Sequence, residues 1–239
     1  MRFQTSLVPG RLIRRYKRFL ADVTLEADGR EVVAHCPNPG AMLGVAEPGM
    51  RVWLEPNDDP KKKLKFGWRL VELEEGHMAG IDTAVPNRVV KEALQARKVP
   101  KLAAYQTVRP EVKYGKNSRV DFLLSEPGLP DAYVEVKNVH LRRHGKLAEF
   151  PDCVTERGAK HLYELADMVD QGHRAIMLYV VQRTDCDSFD LARDLDPGYG
   201  EAFDVARARG VETVCHETVI SFKDVVLGKE LPMLGASPS

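Results

Sequence analysis

Strand period two puts Glu135 and Lys137 of Tyr133-Val134-Glu135-Val136-Lys137 on one face of a strand expected over Ala132 to Asn138. A carboxylate and an ammonium then project together. Asp121 lies upstream in a second strand-like segment, Arg119 to Leu124, and the stretch between the two contains Pro127, Gly128 and Pro130. Such a turn-rich link predicts an antiparallel hairpin with Asp121 beside Glu135. Two carboxylates and a lysine on one patch suit metal-assisted phosphodiester hydrolysis. The hard carboxylate oxygens hold Mg²⁺, with Mn²⁺ as a substitute, and the lysine serves the nucleophile or the scissile phosphate. The same three side chains also suit a salt-bridged sheet face, worth about 0.2–1 kcal/mol per pair. Acid-x-Lys triplets recur at Glu111-Val112-Lys113 and Asp59-Pro60-Lys61, so context must separate them. Only Glu135 has an apolar strand around it, an upstream acid and a helix afterwards.

The following helix is expected from Thr155 to about Asp170, with Leu162, Leu165, Ala166 and Val169 on its apolar face. On it Arg157, Lys160 and His161 fall at i, i+3 and i+4, a basic face suited to phosphate, and Gly158 leaves room for a close approach. An earlier helix begins near Asn87, which can act as its cap, and carries Val89, Val90, Ala93 and Leu94 at helical spacing. Strands are expected at Thr107 to Lys113, from Ala175 and at Val211 to Cys215, with a further helix near Gly200 to Arg209. This α-β-β-β-α-β-α-β order is that of an α/β layer fold.

The first third reads differently. Short strands are expected at Phe19 to Leu25, Glu31 to Cys36, Met50 to Leu54, Phe66 to Leu73 and His77 to Ile81, with Asp28-Gly29 as a turn. That all-β part suggests a small barrel, an OB-like one first. The division is residues 1–83 for the barrel and 84–239 for the α/β domain.

The 239 residues carry 35 basic and 35 acidic side chains, a formal charge of zero, which argues against a wholly basic nucleic-acid binder. Locally the balance differs: the first 20 residues hold Arg2, Arg11, Arg14, Arg15, Lys17 and Arg18 and no acid, with Tyr16 and Phe19 interleaved. Basic groups neutralise phosphates while aromatic rings stack on bases, so this stretch is expected to contact DNA through its backbone. A second basic run is Lys61-Lys62-Lys63-Leu64-Lys65.

Four cysteines without a Cys-x-x-Cys suggest neither a disulfide framework nor a zinc ribbon. His140 and His144 lack a third ligand, so zinc is not expected. The longest apolar run, Ala175 to Val181, is too short to span a bilayer, and Met1 to Pro9 lack a secretory pattern. A cytoplasmic protein with no membrane partner is expected.

Arg14-Arg15-Tyr16-Lys17-Arg18-Phe19, Cys36-Pro37-Asn38-Pro39-Gly40-Ala41-Met42, Val112-Lys113-Tyr114-Gly115, Ser118-Arg119-Val120-Asp121-Phe122, Tyr133 to Lys137, and Phe150-Pro151-Asp152 through Leu162 resemble the SfsA family, the sugar fermentation stimulation proteins. The resemblance implies an OB-like domain followed by a PD-(D/E)XK nuclease-like α/β domain. It implies DNA binding without sequence preference, with a regulatory role in sugar (maltose) metabolism. On that pattern Asp121, Glu135 and Lys137 form the core triad, and Glu92 on the preceding helix adds a carboxylate. Pro39 departs from the threonine frequent in the family and removes a hydroxyl and a backbone donor. The alternatives are a DNA-binding regulator without catalysis and a sugar-binding module with the barrel as its pocket.

Overall fold

Alternation of Ala21, Val23 and Leu25 with polar residues makes the strand β2, Leu20–Leu25, with those three side chains turned into a core and their neighbours outward. The computed structural model describes residues 1–115 and 118–235. Around β2 stand β1 (Val8–Tyr16), β3 (Glu31–His35), β4 (Arg51–Pro56) and β5 (Phe66–Glu72). β1 pairs with β2 and β4, β2 with β3, β4 with β5, and β3 with β5, which closes a five-stranded OB barrel. Leu12, Val23, Ala34, Val52, Leu54, Trp68 and Val71 fill it. Gly10 is required at the β1–β2 crossing, because a Cβ there would lie 2.5 Å from Val23 and 2.9 Å from the Thr24 carbonyl.

β1 is the barrel strand that sequence reasoning did not place. Its register shifts between Leu12 and Arg14, so a bulge interrupts period two within the run of arginines.

β6 (Met78–Gly80) extends the barrel sheet from β5 and ties it to the second domain through Gly80 N–H to the Gln182 carbonyl and Thr184 N–H to the Met78 carbonyl. That domain is built on a six-stranded mixed sheet. Its strands are β7 (Thr107–Tyr114), β8 (Ser118–Ser125), β9 (Ala132–Val139), β11 (Arg174–Val181), β13 (Glu212–Ile220) and β14 (Val225–Glu230). The order is β14-β13-β11-β9-β8-β7, parallel across β9, β11 and β13 and antiparallel at both ends. β10 (Leu147–Phe150) and β12 (Ser188–Leu191) form a separate parallel pair. Helix α1 (Val85–Gln95) packs Val89, Val90, Ala93 and Leu94 on one face against Phe122, Leu124, Val134 and Val136. Helices α2 (Glu156–Asp170) and α3 (Pro197–Ala208) cover the other face, with Leu162, Leu165 and Tyr199 against Tyr114, Met177 and Tyr179.

Both covering helices are capped by the side chains that precede them. Thr155 Oγ1 accepts from Gly158 N–H at 3.1 Å, and Asp196 accepts from Tyr199 N–H at 2.9 Å. Asp196 also takes the Thr155 amide at 2.7 Å, which fixes the start of α2 against the start of α3. The expected room at Gly158 is occupied: a Cβ there would lie 3.1 Å from the Tyr199 ring, so the glycine serves helix packing. Among the described residues no helix is long and apolar enough to cross a membrane. All four cysteines are free, with Cys153 alone exposed.

Candidate active site

The β8–β9 hairpin pairs Phe122 with Val134, Leu123 with Tyr133 and Leu124 with Ala132, and the ladder stops there. The two strands part at the next step, which frees the Val136 amide, and Asp121 Oδ2 accepts it at 2.7 Å. The other carboxylate oxygen, Oδ1, accepts from the Asn87 side-chain amide of α1, also at 2.7 Å. Asn87 is therefore not a cap. α1 begins two residues earlier with Pro86 in its first turn, so Asn87 lies inside the helix and its amide is free to hold Asp121.

Glu135 and Lys137 share a face as period two requires. Lys137 Nζ donates to Glu135 Oε1 at 2.9 Å, and His161 Nδ1 of α2 approaches the same oxygen closely. His161 Nε2 meets Arg157 Nε at 3.4 Å. A carboxylate only accepts, so Nδ1–H donates to Glu135, with Lys137 Nζ 3.2 Å from the same nitrogen and the Arg157 guanidinium facing Nε2. Glu135 is 4 % exposed, and its second oxygen, Oε2, is buried without a hydrogen-bond partner.

The two carboxylates are shifted in opposite directions. Burial, reinforced by the charge of Glu135, pushes the Asp121 carboxyl up to about 6, against the opposing bonds from Val136 and Asn87. Burial also pushes Glu135 upward, but the bond from His161 and the charge of Lys137 outweigh it and leave Glu135 below its ordinary range. Two neighbours, Tyr114 and Glu164, were not assigned to the site from the sequence. The Tyr114 hydroxyl and both Glu164 oxygens are buried without hydrogen-bond partners. Burial, with Glu135, Glu164 and Asp121 adding negative potential, drives the Tyr114 phenol far above its ordinary range. The chamber under α2 is therefore electronegative apart from Lys137, His161 and Lys160, whose Nζ lies 3.5 Å from Glu164. Unpartnered oxygens were not legible in a one-dimensional pattern.

Two expected placements change. Glu92 does not join the cluster. It sits five residues beyond Asn87, about 140° round the helix, and its Oε2 takes the Met1 amino group at 2.6 Å. His161 is 4 % exposed and belongs to the inner face of α2, where it serves Glu135 and does not face solvent. Arg157 and Lys160 remain exposed. Of the other acid-x-Lys triplets, Glu111 stands opposite Asp121 in the β7–β8 register but is exposed, with φ of 55°, and Asp59 lies in the loop between β4 and β5. His140 is engaged on both ring nitrogens, by Asn138 and the Gly80 carbonyl, and burial pushes its imidazole down to about 4.

The basic stretch of the barrel is divided by its pairing. Asp22 stands opposite Arg14 on β2 and binds it at 2.8 Å, while the Arg14 guanidinium lies 4.9 Å from the Tyr16 ring centroid. Arg15 donates to the carbonyls of Arg18 and Asn38. Lys17 and Arg18 form the exposed tip of the β1–β2 turn.

Hard oxygen donors set against a lysine can hold a divalent cation. Glu135 Oε2 has no protein partner, and the Asp121 carboxyl is raised by burial and then by the charge of Glu135, both of which a cation would relieve. Among the described residues no group of three or more His, Cys, Asp or Glu side chains is arranged around one metal position. The protein would thus supply two carboxylates, leaving the remaining positions of a hard cation to water, backbone oxygen and substrate.

Residues 13–81 match the family model described as the SfsA N-terminal OB domain, and residues 84–224 match the sugar fermentation stimulation protein RE domain. The chain is 70% identical over 233 residues to the sugar fermentation stimulation protein homolog of Dinoroseobacter shibae, covering 98% of this chain and 96% of that one. It is 68% identical to the homolog of Roseobacter denitrificans, covering 98% and 99%. A solved structure, Pyrococcus furiosus SfsA in complex with Ca²⁺, superposes with a TM-score of 0.85 at 25% identity, covering 98% of this chain and 97% of that one. By these matches over nearly its whole length, the chain belongs to the sugar fermentation stimulation protein (SfsA) family.

Proposed function

We propose that this protein binds DNA without sequence preference and hydrolyses its phosphodiester bonds at Asp121, Glu135 and Lys137 with Mg²⁺, for which Mn²⁺ substitutes. The observation that carries the proposal is the buried Glu135 carboxylate, which offers one oxygen to Lys137 and His161 and leaves the other without a partner beside Asp121. The Pyrococcus protein was solved in complex with Ca²⁺, and Ca²⁺ and Mg²⁺ both seek carboxylate oxygen.

Asp121 and Glu135 would hold the cation, which when bound supplies Lewis-acid polarisation of a phosphoryl oxygen. The remaining work falls to side chains. Val136 N–H and Asn87 fix the Asp121 carboxylate from two sides, and His161 fixes Glu135. Lys137 Nζ, held by Glu135, carries positive charge toward the nucleophile or the scissile phosphate, where negative charge develops. Arg157 and Lys160 on the exposed face of α2 contact the backbone phosphates, as do Arg14, Lys17 and Arg18 on the barrel, with Arg15 and Tyr16 bracing that turn. A role in sugar metabolism would be exerted through this contact with DNA.

Incubating the protein with supercoiled plasmid and Mg²⁺ tests the proposal. Nicked and linear products that EDTA abolishes are expected. Retarded DNA migration without any metal-dependent product would leave a nuclease fold used for binding alone.

A further inference from the structure

Five-stranded OB barrels hold extended ligands across strands 2 and 3, between the β1–β2 loop and the β4–β5 loop. Both loops are basic in this barrel. The first presents Lys17 and Arg18, in left-handed backbone with φ of 49° and 63°, followed by Phe19, which is 46% exposed. The second carries Lys61, Lys62, Lys63 and Lys65.

A single side chain joins the two loops. His35, exposed at the end of β3, faces the Phe19 ring at a centroid distance of 6.4 Å and an interplanar angle of 21°. His35 also lines a cavity of about 340 Å³ with Lys62, Lys63, Leu64 and Phe66, where the one carboxylate, Glu55, is neutralised by Arg69 at 2.8 Å. A near-parallel pair of exposed rings thus runs into a lysine-walled recess. Its charges are also available. Arg14 is paired with Asp22 and Arg11 with Glu26, whereas among the described residues Lys17, Arg18, Lys61, Lys62 and Lys63 have no carboxylate within 4.0 Å.

We propose that single-stranded nucleic acid crosses the barrel between these loops, its bases stacking on Phe19 and His35 and its phosphates meeting Lys17, Arg18, Lys62 and Lys63. This rests on the DNA-binding function proposed above and adds to it the strand form and its path. The rings decide the strand form, because bases inside an intact duplex are already stacked and paired, whereas unpaired bases offer free faces to aromatic side chains. A duplex would use the lysines alone.

Fluorescence anisotropy of the full chain in EDTA, which prevents metal-dependent cleavage, tests the path with labelled oligo(dT), oligo(U) and a duplex of equal length. Tight binding of either single strand supports the proposal, and the tighter of the two names the source. The Phe19→Ala/His35→Ala double variant, with both sites on the surface, is expected to weaken single-strand binding by about 5- to 50-fold and duplex binding by less than about 2-fold. The Lys62→Ala/Lys63→Ala variant is expected to weaken both and to flatten the salt dependence by about one to two counterions. Unchanged single-strand affinity in the ring variant, or a preference for duplex, overturns the path while leaving DNA binding intact. Absence of binding to every probe at low salt overturns both.

Discussion

The Asn87 amide of α1 donates a 2.7 Å hydrogen bond to Asp121 Oδ1 of β8, so the first helix of the α/β domain sets the orientation of a carboxylate on the sheet. Asn87→Ala removes that donor without removing a helix cap. Metal-dependent cleavage is expected to fall by about 10- to 100-fold, as for other partners that orient a ligand. Far-ultraviolet circular dichroism should be unchanged, and DNA affinity in EDTA should stay within about 2-fold.

Asp121 has a pH signature of its own. Burial and the nearby Glu135 raise its carboxyl from 3.8 to about 6. The folded state then binds a proton more tightly than the unfolded state, so stability falls as pH rises through that window and is level above it. Asp121→Asn keeps an acceptor for Val136 N–H and removes the charge. Urea unfolding in EDTA should show the variant more stable than wild type by about 1–3 kcal/mol at pH 8 and about equal below pH 4. Mg²⁺ should raise the melting temperature of the wild type and not of the variant.

His161 and its neighbours on α2 should separate by role. His161→Ala removes a buried donor to Glu135 and is expected to cost about 1–3 kcal/mol of stability with DNA affinity unchanged. Arg157→Ala and Lys160→Ala should do the reverse, lowering DNA affinity and reducing the salt slope by about one counterion each. Denaturant melts and anisotropy titrations on the three variants read both quantities.

Gly158→Ala probes the packing beneath the site. The added methyl meets Thr155 at 2.9 Å and Tyr199 at 3.1 Å, in the contact that fixes α2 against α3. A loss of about 1–3 kcal/mol is expected, measured as a shift of the urea midpoint with unchanged slope.

The face that carries Glu135 and Lys137 was legible because its determinants are local. Period two alone aligns Glu135 with Lys137, and the turn residues Pro127, Gly128 and Pro130 bring Asp121 back to them. α2 was legible from Thr155 and its apolar stripe. What escaped depends on partners distant in sequence. Asn87 has the composition of a cap, and only the packing of α1 on β8 makes it a ligand of Asp121. His161 follows the spacing of a basic surface, yet a helix turn of that width spans both the exposed edge and the buried face. β1 was hidden by its bulge, and the four-residue strands β10 and β12 are too short for any periodicity to show. The six positive charges of the first 20 residues were counted without Asp22 and Glu26, which only the barrel's pairing brings beside Arg14 and Arg11.

Initial rates of Mg²⁺-dependent DNA cleavage, measured side by side for the wild type, Asp121→Asn, Glu135→Gln and Lys137→Ala, test the central claim most directly. The wild type should cleave, each variant should be slower by at least about 100-fold, and Lys137→Ala should retain its affinity for DNA within about 3-fold. Cleavage at equal rates in all four proteins, or in none, would contradict it.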